Sequence, residues 1–328
     1  MLRIHFTGED IRRIVVADRP DPLWDVLLSL HMLQDRAGTL AFGEWRRRTR
    51  AADAPSARLL ADLARPWGYS PDFLTPGRGD ADFDTQLDAL LSTPRSRLQA
   101  DMACLAAEAP LTRWAKALAA GNFGALKQLG EALTAYRRVA LEPYQDLIHS
   151  QVMADRDRRA RTLLSGGTDR LLADLHPSMV WRPPVLEIAV YADQDVHLEG
   201  RGLVLVPSFF LRIQPITLMD PSRPPVLVYP LPPRLGWLTP NSNRTAHAPR
   251  ERVITLLGRT RAAVLEAAAG TGTTTQLAAR AGVSLPVISR HTAVLREAGL
   301  LVTWREGGMV RHRVTGLGLA VLNGELPA

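Results

Sequence analysis

The sequence predicts an α+β fold: a mostly helical N-terminal domain with a small antiparallel sheet, followed by a compact C-terminal module of short helices and a hairpin. Three observations predict it. Helical periodicity with capping residues runs from Asp21 to Leu175, and short β-branched segments bounded by Pro or Gly take over from Pro177 to Tyr229. Beyond Thr271, glycines punctuate two short helical patterns that lead into alternating strands. The expected domains are 1–240 and 250–328, separated by a Pro-rich stretch from Pro230 to Pro249.

Leu2 to Phe6 alternates as a strand, and after a polar turn Ile11 to Val16 reads as a second. Asp21-Pro22 is a helix start, because a carboxylate can accept from free backbone N–H groups and proline loses nothing in the first turn. That helix runs to about Asp35, with Leu23, Leu27, Leu30, Trp24, Leu28 and His31 on a broad apolar face. Further helices fit 57–65, 84–92, 95–108, 112–120 and 122–140. Pro143 opens another that runs to about Leu164, with the charged run from Asp155 to Arg161 on its exposed side, and Gly166-Gly167 ends it. Val185–Tyr191, Gly202–Val206, Ile216–Met219 and Val226–Tyr229 read as antiparallel strands.

In the C-terminal module a short helix fits Thr274 to Ala281, and Gly282 suits a left-handed helix end. Ser284 caps a second helix, about Leu285 to Ala298, with Pro286 in its first turn. Ile288, Leu295 and either His291 or Thr292 form its buried stripe, while Leu285, Ser289, Arg290 and Ala293 face outward. Leu300–Arg305 and Met309–Val314 alternate around Glu306-Gly307-Gly308, which is hairpin chemistry. Helix, turn, helix and hairpin in this order predict a C-terminal winged helix-turn-helix.

Charge concentrates in the same place. Residues 244–328 hold eleven Arg and five Glu, a net +6, whereas the whole 328-residue chain is +7, so the first 243 residues are nearly neutral at +1. A basic excess confined to a small module fits phosphate contact. The charged fraction of 22% and hydrophobic fraction of 46% fit folded domains rather than a disordered tail. A single cysteine, Cys104, excludes a disulfide or thiolate cage within one chain. No signal-peptide segment opens the sequence, and no apolar run reaches bilayer length, so a cytoplasmic protein without a membrane partner is expected.

The run Ser284-Leu-Pro-Val-Ile-Ser-Arg-His-Thr-Ala-Val-Leu-Arg-Glu-Ala-Gly-Leu-Leu301 resembles the recognition helix of the ArsR family of winged-helix repressors, and Trp304 to Val314 resembles its wing. The larger layout is similar to the long actinomycete type of ArsR-like regulator, whose N-terminal domain has no assigned function. Pro20-Asp-Pro-Leu-Trp24, Trp181-Arg-Pro-Pro-Val185 and the stretch from Gly200 to Phe209 carry that second likeness. Metal-sensing members carry paired cysteines where this chain has Thr273 and Thr275, and Thr292 stands where a core Leu is usual. The resemblance therefore implies a transcription regulator without metal sensing.

Arg290 is the leading candidate DNA contact, since an early recognition-helix Arg can pair with guanine or grip a phosphate. Ser289 and Leu285 stand close enough on the same helix to touch base edges. Thr274, Ser284, Pro286, His291 and the wing residues Arg305, Arg311 and Arg313 complete the expected interface. Trp24, Met102, Trp114, Trp181, Tyr191 and Phe209 are candidates for a pocket that takes a small apolar or aromatic effector. Each has core packing as its competing fate.

Catalytic signals are weak. Asp80-Ala-Asp-Phe-Asp84 has calcium-loop spacing but lacks the loop's Gly and terminal Glu, and reads as a helix-capping turn. Asp193, Asp195 and His197 offer acid–base groups in a stretch whose alternation is ordinary surface patterning. The expectation is a homodimeric repressor of a double-stranded operator, with no cofactor and no metal, because one recognition helix reads too few base pairs alone. The competing readings are an enzyme, or a partner-recruiting protein, tethered to DNA by the winged helix.

Overall fold

The computed structural model describes residues 1–35, 39–52, 54–77, 81–189, 193–212, 214–231, 237, 253–269, 271–306 and 308–323. They form a mixed α+β protein that divides into two compact units, Met1–Asp35 with Trp45–Leu231 and Arg36–Glu44 with Pro232–Ala328. Tyr191 and most of the stretch from Pro230 to Pro249 lie outside the described residues.

The first unit opens with β1 (Leu2–His5), α1 (Gly8–Arg12) and β2 (Ile14–Val16). The expected turn is a short helix that also takes in Ile11 and Arg12, so the second strand begins at Ile14 rather than at Ile11. Thr7 and Asp10 form a reciprocal capping box on it, and Asp10 also accepts from Gly202 N at 2.9 Å. This helix carries the chain from one sheet to another, so the two N-terminal strands never pair with each other.

α2 (Pro22–Gln34) begins as expected, with Asp21 Oδ1 accepting from Leu23 N and Trp24 N at 3.1 and 3.0 Å. Ten of its thirteen residues are buried, including Asp25 and Ser29. Burial and the nearby Asp21 push the Asp25 carboxyl well above the usual range, with only a 3.3 Å bond from Ser208 opposing them. α3 (Thr39–Ala52) and α4 (Ala54–Ala61) follow, then α5 (Phe83–Leu91), α6 (Arg95–Glu108), α7 (Arg113–Ala119), α8 (Phe123–Ala140) and α9 (Gln145–Ala173). Asp82 caps α5 through Thr85 N at 2.8 Å, as the acidic turn suggested. α9 runs past the expected end at Leu164, but Gly167 (φ 68°) breaks its helical backbone.

The charged run in α9 is not wholly solvated. Asp155 and Arg159 are 3% and 7% exposed. Asp155 pairs with Arg158 and Arg159 and accepts a 2.5 Å bond from the Tyr229 hydroxyl. Arg159 also donates to the Asp174 and Leu175 carbonyls at 2.6 and 2.8 Å. Burial raises the cost of the Asp155 charge, but the two guanidiniums and the hydroxyl together hold its carboxyl below the usual range.

The remaining strands of this unit are β3 (Met179–Arg182), β4 (Val185–Ile188), β5 (Gln194–His197), β6 (Leu203–Ser208), β7 (Ile216–Thr217) and β8 (Val226–Pro230). They build two four-stranded sheets ordered β3-β4-β1-β5 and β2-β6-β8-β7. The expected single antiparallel sheet is thus corrected. β1 pairs parallel with β5, and β2 and β8 pair parallel with β6. Parallel neighbours need long crossovers, and the whole helical region between β2 and β3 supplies one. Leu2, Ile4, Leu186, Ile188, Leu205 and Leu227 from both sheets share a core with Val152, Leu171 and Leu172 of α9.

The second unit contains a helical stretch at 253–257, then α10 (Arg259–Ala267), β9 (Gly272–Thr273), α11 (Thr274–Ala281), α12 (Leu285–Glu297), β10 (Leu301–Glu306), β11 (Met309–Val314) and α13 (Gly316–Asn323). Its antiparallel sheet is ordered β10-β11-β9. Val264, Leu265, Leu277, Ile288, Leu295, Leu301, Val314 and Leu322 form one core beneath the helices and sheet. Trp237 of the same unit donates to the Ala41 carbonyl at 2.6 Å and meets Phe42 edge-on at 5.7 Å.

Candidate nucleic-acid interface

Local chemistry fixes the two helices that carry the expected contacts. Thr273 caps α11: its hydroxyl accepts from Gln276 N at 3.3 Å, and Gln276 Oε1 accepts from Thr273 N at 3.0 Å. Threonine at this position therefore has a structural task. Gly282 ends α11 at φ 65°, where a Cβ would strain the backbone. Ser284 stands at the N-cap of α12, but its side chain makes no capping bond, unlike the expected one.

Ile288, Thr292 and Leu295 are the buried residues of α12, which resolves the choice between His291 and Thr292 in favour of threonine. Thr292 meets the cost of burial by donating to the Ser289 carbonyl at 3.1 Å. Steps of four, three and four residues place Pro286, Arg290, Ala293 and Glu297 on the stripe opposite this core. Ser289 and Arg290 are exposed, and Leu285 is 50% exposed. Arg290 makes no hydrogen bond or ion pair among the described residues. His291 is half-buried, and its Nδ1 is buried without a partner.

The hairpin arginines differ from one another. Arg305 is exposed and unpaired among the described residues. Arg311 is paired with Glu306 at 2.5 Å, and the Arg313 guanidinium lies 5.6 Å from the Trp304 ring centroid. Arg296, which sequence reasoning passed over, is a further exposed α12 cation with no partner among the described residues. Its position near the C-terminus of a helix was unremarkable in sequence.

Thr274, expected in the DNA interface, has its hydroxyl turned to a neighbouring strand instead. Its Oγ1 lies 2.9 Å from His312 Nε2, and Thr303 Oγ1 lies 2.9 Å from His312 Nδ1. Burial, and secondarily the charge of Arg296, lower the His312 pKa, so the ring is neutral and each nitrogen has a hydroxyl partner. The triad ties α11 to both hairpin strands.

The aromatic candidates for an effector site scatter. Trp24 is 3% exposed and lines a cavity in the first unit. Met102 and Phe209 are core residues at 1% exposure. Trp181 packs edge-on against Phe6 at 5.2 Å and donates to Asp169 at 2.8 Å. Trp114 is half-buried on α7, and Tyr191 lies outside the described residues. Among the described residues, Met102, Trp114, Trp181 and Phe209 do not line the cavity that Trp24 lines.

Asp193, Asp195 and His197 belong to an exposed ionic cluster. Asp195 accepts from His5 at 2.7 Å and Arg3 at 2.9 Å, Arg3 also reaches Asp193 at 3.1 Å, and His5 stacks on His197 at 4.4 Å. The His5 bond and the Arg3 charge hold the Asp195 carboxyl below the usual range. Such a carboxylate is a poor proton acceptor. Among the described residues no group of three or more His, Cys, Asp or Glu is placed to hold a metal ion, and no helix is long and apolar enough to cross a membrane. Compared with family models, curated proteins and solved structures, the chain matches none of them.

Proposed function

We propose that this chain is a DNA-binding transcription regulator, an ArsR-like repressor that acts as a homodimer and responds to a non-metal small molecule held in its first unit. The second unit is then a winged helix-turn-helix, with α12 as the recognition helix and the β10–β11 hairpin as the wing. The observation that carries this reading is the two-sidedness of α12. Ile288, Thr292 and Leu295 anchor it, while Arg290 on the opposite stripe is exposed and unpaired. An arginine left free early in such a helix suits guanine or phosphate contact. Arg305 on the hairpin and Arg296 on α12 add unpaired cations to the same small module, whose sequence carries most of the chain's net charge.

The test is selection from a random duplex pool with the full chain, followed by retardation titrations of the enriched duplex. The expected result is an enriched site with two-fold symmetry, whose half-sites lie about one helical turn apart. Binding that shows no sequence enrichment and no dependence on Arg290 would refute the proposal.

A further inference from the structure

Within the first unit, a cavity of 410 Å³ lies between α2, the segment 66–75 and the strand β7. Its size falls in the range of small-molecule sites. Leu27, Leu28, Phe210 and Ile216 give it a largely apolar wall. Polar side chains, among them Tyr69, Glu108, Gln194 and Gln214, share that wall and differ in what they offer a guest.

Arg212 is the cation at the wall, and it is already committed to Asp35 at 2.7 Å, with both side chains largely buried. Asp72 also faces the cavity, and its Oδ2 accepts from Met219 N and Asp220 N at 2.9 and 2.7 Å. Burial raises the Asp72 pKa only to about 6, so the group is mostly ionised at neutral pH. An anionic guest would meet this carboxylate without a free cation to offset it.

His31 brings an open ring nitrogen to the same wall. Its Nε2 lies 2.9 Å from Ser70 Oγ, and its Nδ1 has no partner among the described residues. Burial lowers its pKa to about 4, so the ring is neutral at pH 7. A neutral imidazole beside a serine hydroxyl can take either tautomer, because the hydroxyl can accept or donate. Nδ1 is therefore able to donate or accept, which matches a hydroxyl group. Trp24, in the same wall, also has a buried indole N–H without a partner.

We propose that this cavity binds a neutral, ring-bearing molecule and orients it through one hydroxyl group hydrogen-bonded to His31. The proposal rests on the regulator reading in making that molecule the effector, so that its binding changes operator affinity.

The experiment is calorimetric titration of the full chain at pH 7 with 2-naphthol, naphthalene and naphthalene-2-sulfonate. 2-Naphthol should bind at least about tenfold more tightly than naphthalene, and the sulfonate more weakly than either. His31→Phe and, independently of any folding defect in that variant, His31→Leu should each erase most of the naphthol preference. Equal affinities for naphthol and naphthalene, tightest binding of the sulfonate, or an unchanged preference in both variants would overturn the site. The enriched duplex, titrated with saturating 2-naphthol present, should show at least about a threefold change in affinity. Naphthol binding with no such change overturns the effector role alone, whereas naphthol binding by a chain that enriches no duplex overturns the regulator reading alone.

Discussion

Thr274 Oγ1 and His312 Nε2 stand 2.9 Å apart, joining the first turn of α11 to the central strand of the β9–β11 sheet. The other nitrogen of the same imidazole, Nδ1, lies 2.9 Å from Thr303 Oγ1 on β10. One buried ring thereby sets the position of the hairpin relative to the helix that precedes α12. Residues that reach outward from α12 and the hairpin are only as well placed as the bonds beneath them.

His312→Leu should cost about 1–3 kcal/mol by stranding two hydroxyls. Urea denaturation at pH 7.5 measures it. The lowered pKa of His312 also has a sign. The neutral ring contributes fully above its unfolded pKa of 6.5, and the contribution is lost as pH falls below that value. The wild-type chain should therefore lose more stability on acidification than His312→Leu; parallel pH profiles would contradict this.

Arg290→Ala should weaken binding to the enriched duplex by about 1–3 kcal/mol and relax base preference at one position. Arg305→Ala should instead weaken binding to all duplexes and lower the salt slope by about one. Arg311→Ala should do less than either, since that guanidinium is already paired with Glu306. Retardation titrations at several salt concentrations separate the three.

Asp155→Asn leaves the Arg159 guanidinium buried beside an uncharged partner, and should destabilise the chain by about 3–5 kcal/mol. Tyr229→Phe removes one donor to the same carboxylate and should cost about 1–2 kcal/mol. A thermal midpoint unchanged in Asp155→Asn would show that the network contributes nothing.

His31, held at about 4 against an ordinary 6.5, contributes stability above pH 6.5 that is lost as pH falls toward 4. The loss reaches up to about 3 kcal/mol, less where water in the cavity screens the ring. Asp72 acts with the opposite sign: raised from 3.8 to about 6, it contributes below pH 3.8 and loses that contribution as pH rises through 6. The difference between wild-type and His31→Phe midpoints isolates the histidine. It should narrow from pH 7.5 to pH 4.5, and a constant difference would count against a neutral buried ring.

Sequence by itself determined the local elements. Asp21-Pro22 set the start of α2, Gly282 the end of α11, and the hydrophobic spacing the inward stripe of α12, because caps, left-handed turns and helical period depend on residues a few places apart. The basic bias of the C-terminal module was equally legible, since charge is additive along a chain. Only the tertiary structure decided the rest. It set which strands run parallel, buried Asp155 and Arg159 against Tyr229, distinguished free Arg305 from paired Arg311, and enclosed His31 and Ser70 in one cavity wall. Those outcomes depend on groups dozens to hundreds of residues apart, or on which of several neighbours a side chain meets. Long-range packing settles such choices through burial and hydrogen-bond satisfaction, and local periodicity carries no record of them.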